Sequence, residues 1–139
     1  MKCAFCDIVA GDASSFIVFE DEVSLAFLDK RPLFPGHTLL VPKQHFGTFA
    51  ELDDSLIEPL FRNARLLAQA IETAMKAEGT FVALNNKVSQ SVPHLHIHVV
   101  PRRRKDGLRG FFWPRNPYKD DQHIREVQNK IKEVLNSLS

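Results

Sequence analysis

A chain of 139 residues is long enough to bury a core of its own and is most simply one domain. Hydrophobic residues at 44% and charged residues at 25% are the proportions of a globular protein, and a net charge of +1 provides no global field to gather nucleic acid or a membrane surface. No apolar run approaches a membrane span and the N-terminus lacks a signal-peptide pattern. The spacing Cys3-x-x-Cys6 is no secreted disulfide framework, so the cytoplasm is the expected compartment.

In chain order, Cys3 to Ala10 fits one short amphipathic turn closed by Gly11-Asp12. Phe16 to Glu20 and Val23 to Leu28 read as two strands around a tight turn at Asp21-Glu22, a hairpin. Asp29 to Gly36 contains Pro32 and Pro35 and is expected as a loop, followed by a third strand from His37 to Val41 that ends at Pro42. Asp53, Asp54 and Ser55 offer helix caps. From Leu60, apolar residues recur at Ala64, Leu67, Ala68, Ile71 and Met75, the period of a helix with Pro59 in its first turn and Gly79 at its end. A fourth strand, Thr80 to Leu84, is joined by the polar stretch Asn85 to Val92 to a fifth, and so short a link makes the pair antiparallel. A last helix spans about residues 121 to 137, with Ile124, Val127, Ile131, Val134 and Leu135 on one side. The fold class expected is α+β, an antiparallel sheet with one long helix and a C-terminal helix.

The fifth strand carries the chemistry. In His94-Leu95-His96-Ile97-His98-Val99-Val100-Pro101 three imidazoles alternate with branched aliphatic residues. At a period of two, the rings share one face and Leu95, Ile97 and Val99 enter a core. Imidazole changes protonation near neutral pH, so a row of three is either a metal site or a base, nucleophile and acid set. The loop Asn85 to Ser91 supplies amide, hydroxyl and backbone donors suited to an anion beside that row. His37 and His45 flank the third strand eight residues apart, an even spacing that an unbroken strand shows on one face. Asp29, opening its loop, can accept hydrogen bonds from sugar hydroxyls. Arg102 to Lys105 is the one charge run, read either as a draw for anionic substrates or as a solvated loop.

Gly36-His37-Thr38-Leu39-Leu40-Val41-Pro42-Lys43-x-His45, together with Gln90-Ser91-Val92-Pro93-His94-Leu95-His96-Ile97-His98, resembles the histidine-triad (HIT) family of nucleotide hydrolases and transferases. The likeness runs from about Cys3 to Arg102 and is strongest to the branch of small homodimeric nucleoside-phosphoramidate hydrolases and their bacterial relatives. It implies a five-stranded HIT-like sheet in a core of about residues 3–102, with residues 103–139 as a C-terminal flap and helix of the same single domain. It also implies a role for each site residue. His96 attacks the α-phosphorus of a phosphoramidate or dinucleoside polyphosphate and becomes covalently nucleotidylated. His98, Asn85, Gln90 and Ser91 hold the phosphate oxygens, and Ser91 assists the leaving group. His37 stands beside the nucleophile, Asp29 binds the ribose, and Phe5, Ile8 and Phe27 line the base pocket. Bacterial relatives pair such a Cys-x-x-Cys with two histidines around structural zinc, which here implies Cys3, Cys6, His45 and His94. In one respect the chain departs from the family: Lys87 and Ser89 stand in the phosphate loop where glycines are expected.

The resemblance further implies a purine nucleotide substrate and a homodimer, with neither membrane nor specific nucleic acid as partner. Two rival functions remain open from the sequence. One is a zinc-dependent hydrolase in which His94, His96 and His98 are themselves the metal ligands. The other is a non-catalytic nucleotide-binding module using Arg102 to Lys105. Phe111-Phe112-Trp113-Pro114 is expected as a flap on the dimer or at the rim of the cleft.

Overall fold

A computed structural model of the chain describes residues 2–109 and 115–138, with the side chain of Leu135 excepted; the expected flap at residues 111–114 lies outside the described residues. The chain divides into two compact units, one running through Asp106 and one from Gly107 onward. The first holds α1 (Ala4–Ala10), β1 (Ile17–Glu20), β2 (Ser24–Leu28), β3 (Thr38–Pro42), α2 (Asp54–Ala74), β4 (Gly79–Ala83) and β5 (Ile97–Arg102). The second carries α3 (Asp121–Leu138), with Ile124, Val127, Ile131 and Val134 at helical spacing along it.

The five strands form one antiparallel sheet in the order β1-β2-β3-β5-β4, the architecture expected from sequence. Period-two alternation sorts each central strand between two cores. Ala26, Leu40, Leu95, Ile97 and Val99 face α2, where Leu60, Ala64, Leu67 and Ile71 close the larger core. Leu25, Phe27, Leu39 and Val41 turn the other way, against Phe5 of α1. The site is built on this second face: Leu39 pairs with His98 across β3 and β5, and both look toward α1.

Several local devices set the frame. Asp21 Oδ1 accepts from the amides of Val23 and Ser24 (3.0 and 2.8 Å), which makes the hairpin turn. Asn63, buried on α2, donates to Asp21 Oδ2 (2.7 Å) and Ser24 Oγ (2.8 Å), tying the helix to that turn. Burial alone would raise the Asp21 carboxyl, but these hydrogen bonds outweigh it and hold the group below the usual carboxylate range. Gly36 has a positive φ of 100° and no room for a side chain, since a Cβ would stand 2.8 Å from Met75 Cγ; the chain can therefore turn there and deliver His37 to the sheet.

Several boundaries differ from the sequence expectation. α2 begins at Asp54, capped by the Asp53 carboxylate accepting from the Ser55 amide at 3.0 Å. Pro59 therefore lies beyond the first turn, where it forgoes one helical hydrogen bond. At the other end, Gly79 does not terminate α2: the helix stops at Ala74, and Lys76 takes the left-handed position (φ 51°) while the Ala77 amide returns to Glu72 O at 2.9 Å. Gly79 opens β4 instead. Regular β5 starts only at Ile97, so His94 and His96 precede the ladder.

Three residues of the basic run, Arg102 to Arg104, are committed to structure. Arg102 grips Asp106 through two nitrogens (2.6 and 3.1 Å), Arg103 donates to the Met75 carbonyl at the end of α2, and Arg104 pairs with Glu78 (2.9 Å).

Candidate active site

The loop from Asp29 to His37 is closed by the Asp29 amide donating to His37 O at 2.9 Å, which brings Asp29 and His37 to one end of β5. Inside that loop the Leu33 amide donates to His37 Nδ1 at 3.0 Å. In a neutral ring only one nitrogen carries hydrogen, so the His37 proton sits on Nε2. His37 Nε2 faces His98 Nδ1 at 3.0 Å, which makes His37 the donor and puts the His98 proton on Nε2. Burial lowers the His37 pKa against the pull of Asp29, whose Oδ2 lies 3.7 Å from Nε2. Burial, with the neighbouring His96 and His37 rings, pushes His98 down to about 4. Both rings are neutral at pH 7, and His98 offers an N–H from its far edge.

The tautomer of His96 is set from the opposite side. Its Nδ1 lies 2.8 Å from the carbonyl of His94, an acceptor only, so Nδ1 donates and Nε2 keeps a lone pair. His96 is only 3% exposed but lines an open cleft of about 490 Å³, edge-on to Phe5 at 5.0 Å and to His98 at 5.0 Å between ring centroids. Phe5, Ile8, Phe27, Asp29, Ser91 and His98 line the same cleft. An unprotonated nitrogen on a nearly buried ring, beside a hydroxyl and an N–H donor, is the arrangement of a nucleophile with groups placed for developing negative charge.

Asn85 and Gln90 do not line this cleft. Asn85 Nδ2 donates to Ser89 O (3.2 Å), while Gln90 Oε1 accepts from the Lys87 amide (2.8 Å) and its Nε2 donates to Gly47 O (2.6 Å). They brace the loop. Lys87 and Ser89 hold φ of 68° and 61°, the left-handed region that glycine occupies cheaply, so the loop keeps a glycine-type backbone without the glycines. Ser14, Ser15, Lys30 and Arg31 also line the cleft and were not singled out from the sequence. They lie in loops, where no periodicity marks them; only the adjacency of Lys30 and Arg31 to Asp29 was there to be read.

A second cluster sits behind Phe5. Cys3 Sγ, Cys6 Sγ, His45 Nδ1 and His94 Nδ1 all lie within 4.8 Å of one another. Cys3–His94, Cys6–His45 and Cys6–His94 lie at sulfur–nitrogen separations of 3.4 to 3.5 Å, and the two nitrogens are 3.1 Å apart. Bonds of about 2.3 Å to sulfur and about 2.05 Å to nitrogen give a tetrahedron with edges of about 3.5 Å and about 3.4 Å, so the set fits one zinc-sized cation. His94 Nε2 donates to the Pro42 carbonyl at 2.9 Å, which leaves a bare lone pair on Nδ1 aimed at the cluster. All four protein ligands of a closed site are present.

The rival zinc hydrolase has no support in this geometry. His94 directs Nδ1 to the cysteines and His96 directs Nδ1 to a carbonyl, so the three triad rings do not converge on one point. Asp29, His37 and His98 do approach one another within 4.8 Å, but the Leu33 amide holds the proton of His37 on the very nitrogen a metal would need.

Residues 10–105 match the HIT domain family, and with its fold and site in place the chain belongs to that family of nucleotide-binding proteins and hydrolases. It is 37% identical to the Hit protein of Bacillus subtilis across 99% of this chain and 95% of that one. It is 33% identical to an adenylylsulfatase of Arabidopsis thaliana, covering 76% of this chain and 55% of the plant protein. A zinc-bound histidine-triad protein of Mycobacterium smegmatis superposes with a TM-score of 0.73 at 32% identity, over 100% of this chain and 99% of that one.

Proposed function

We propose that the chain is a nucleotidyl hydrolase or transferase acting at the α-phosphorus of purine nucleoside phosphoramidates or dinucleoside polyphosphates. The observation that carries this is the His96 ring, which lines the cleft with its Nδ1 proton committed to the His94 carbonyl, so that Nε2 is the nitrogen left with a lone pair. In the first displacement Nε2 forms a bond to phosphorus and the bond to the leaving amine or phosphate breaks. The ring becomes cationic at that moment, and the carbonyl on Nδ1 steadies the charge. Ser91 supplies a hydroxyl for the leaving group, and His98 presents its N–H to the phosphate oxygens. Water then breaks the N–P bond and restores the neutral ring. Asp29 takes the ribose hydroxyls, Phe5, Ile8 and Phe27 enclose the base, and Asn85 and Gln90 serve by holding the loop that carries Ser91.

Cys3, Cys6, His45 and His94 would hold zinc as a structural ion, which when bound would cross-link the N-terminus to the sheet. Reduced thiols in such a cluster suit the cytoplasm. The proposed partner is a second copy of this chain, which gel filtration would read as a two-chain mass; the proposed domain is a single HIT domain over residues 1–139, with the stretch from residue 103 as its C-terminal extension. The test is monophosphate release from a nucleotide panel: turnover is still measurable at high nucleotide concentration in excess chelator and disappears in His96→Ala, whereas full activity in that variant defeats the proposal. A non-catalytic module reading anions through Arg102 to Lys105 is disfavoured because three of its four basic side chains are bound to Asp106, Met75 and Glu78.

A further inference from the structure

Phe5 sits between the two cysteines of the cluster in sequence, and its ring stands between the cluster and the cleft in space. It meets His94 at 5.9 Å, His96 at 5.0 Å and Phe27 at 5.4 Å between centroids, all edge-on, and it is 7% exposed. It also lines the nucleotide cleft together with Ile8 from the same helix. α1 has only seven residues, too few to be stable alone, and it is tethered at Cys3, whose sulfur accepts the Cys6 amide at 3.5 Å. The cluster meets the reacting ring by a second route as well. His94 contributes Nδ1 to the cluster and its carbonyl to His96, so one residue holds both.

We propose that Phe5 is a positioning residue that couples the Cys3–Cys6–His45–His94 metal cluster to the nucleotide cleft, so that metal occupancy sets both the wall of the base pocket and the pose of His96. The coupling rests on that cluster being metal-bound. A filled cluster clamps the chain on either side of Phe5, which presses its ring edge against His96 and fixes the pocket wall. An empty one frees α1, and the wall and the support of His96 loosen together. Because coupling is reciprocal, nucleotide tightens metal binding by the same factor that metal tightens nucleotide binding.

The test uses full-length protein loaded with zinc or stripped by chelator. It reads the dissociation constant of adenosine 5′-monophosphate by calorimetry, the His96 Nδ1–H signal by nitrogen-15 NMR, and metal content by elemental analysis. Stripping weakens nucleotide binding by about tenfold and removes the sharp His96 signal while the sheet resonances stay dispersed. Zinc-loaded Phe5→Ala shows the same weakening and no longer responds to stripping; Phe5→Leu, which keeps bulk against His96, recovers part of the affinity and supplies the measurement if the alanine variant does not fold. Stoichiometric zinc with unchanged nucleotide affinity on stripping overturns the coupling and leaves the metal assignment standing, as does a Phe5→Ala protein that responds to stripping like the parent. A protein that takes up no zinc overturns both.

Discussion

Replacing His98 by asparagine removes one titrating ring while keeping an acceptor for the His37 proton, and its effect follows from linkage. His98 falls from 6.5 to about 4 in the folded chain. Below pH 6.5 the unfolded chain therefore takes up the proton first, so the stability owed to this ring is whole above 6.5 and is lost as pH falls toward 4. Between pH 7 and pH 5 the shift amounts to about 1.8 kcal/mol, and with solvent reaching the ring from the open cleft about 1 kcal/mol is expected. Urea unfolding at the two pH values, on parent and His98→Asn, isolates this share, because His37 and His94 shift in the same direction in both proteins. Asp21 and Asp53 are lowered below the usual carboxylate value, so their contributions are lost only at lower pH. The variant loses about 1 kcal/mol less than the parent on acidification. Equal losses in the two proteins would refute a neutral, buried His98 and the tautomer chain built on it.

The Asp29→Asn variant keeps an oxygen for the Arg31 amide but loses the charge offered to the ribose, so KM rises about tenfold with kcat little changed, and a 2′,3′-dideoxy substrate registers no difference. Ser89→Gly relieves a left-handed backbone at φ 61° and raises the urea midpoint by an amount worth about 0.5 kcal/mol; a fall would contradict that account of the loop. Asn63→Leu removes the donor to Asp21 Oδ2 and Ser24 Oγ, leaves Ser24 Oγ its bond to Asp21 Oδ1, and lowers unfolding stability by about 2 kcal/mol, with the nucleotide dissociation constant unaffected.

Alternation made the sheet legible from sequence: Leu95, Ile97 and Val99 enter one core while His96 and His98 face the other way. The family was legible from the same stretch, since its imidazoles stand in the histidine-triad pattern. What the pattern hid was which partner each ring takes. His94 turns its Nδ1 to the cysteines and its Nε2 to Pro42, a division set by backbone ahead of β5 that no periodicity encodes. Nor could spacing show how the phosphate loop is braced: Asn85 and Gln90 are polar residues beside the site, and here their amides are donated to Ser89 and Gly47. Helix limits slipped where local chemistry ran against the usual preference. Pro59 is carried inside α2, and Lys76 occupies a position that glycine ordinarily fills.

The central claim is a transient bond between His96 Nε2 and phosphorus. Rapid acid-free quenching of turnover on a nucleoside phosphoramidate, followed by peptide mass spectrometry, reads it directly. A nucleotide-sized mass on the peptide containing His96, formed and discharged at the rate of turnover and absent from His96→Ala, is the predicted result. Turnover with an unmodified His96 throughout would contradict it.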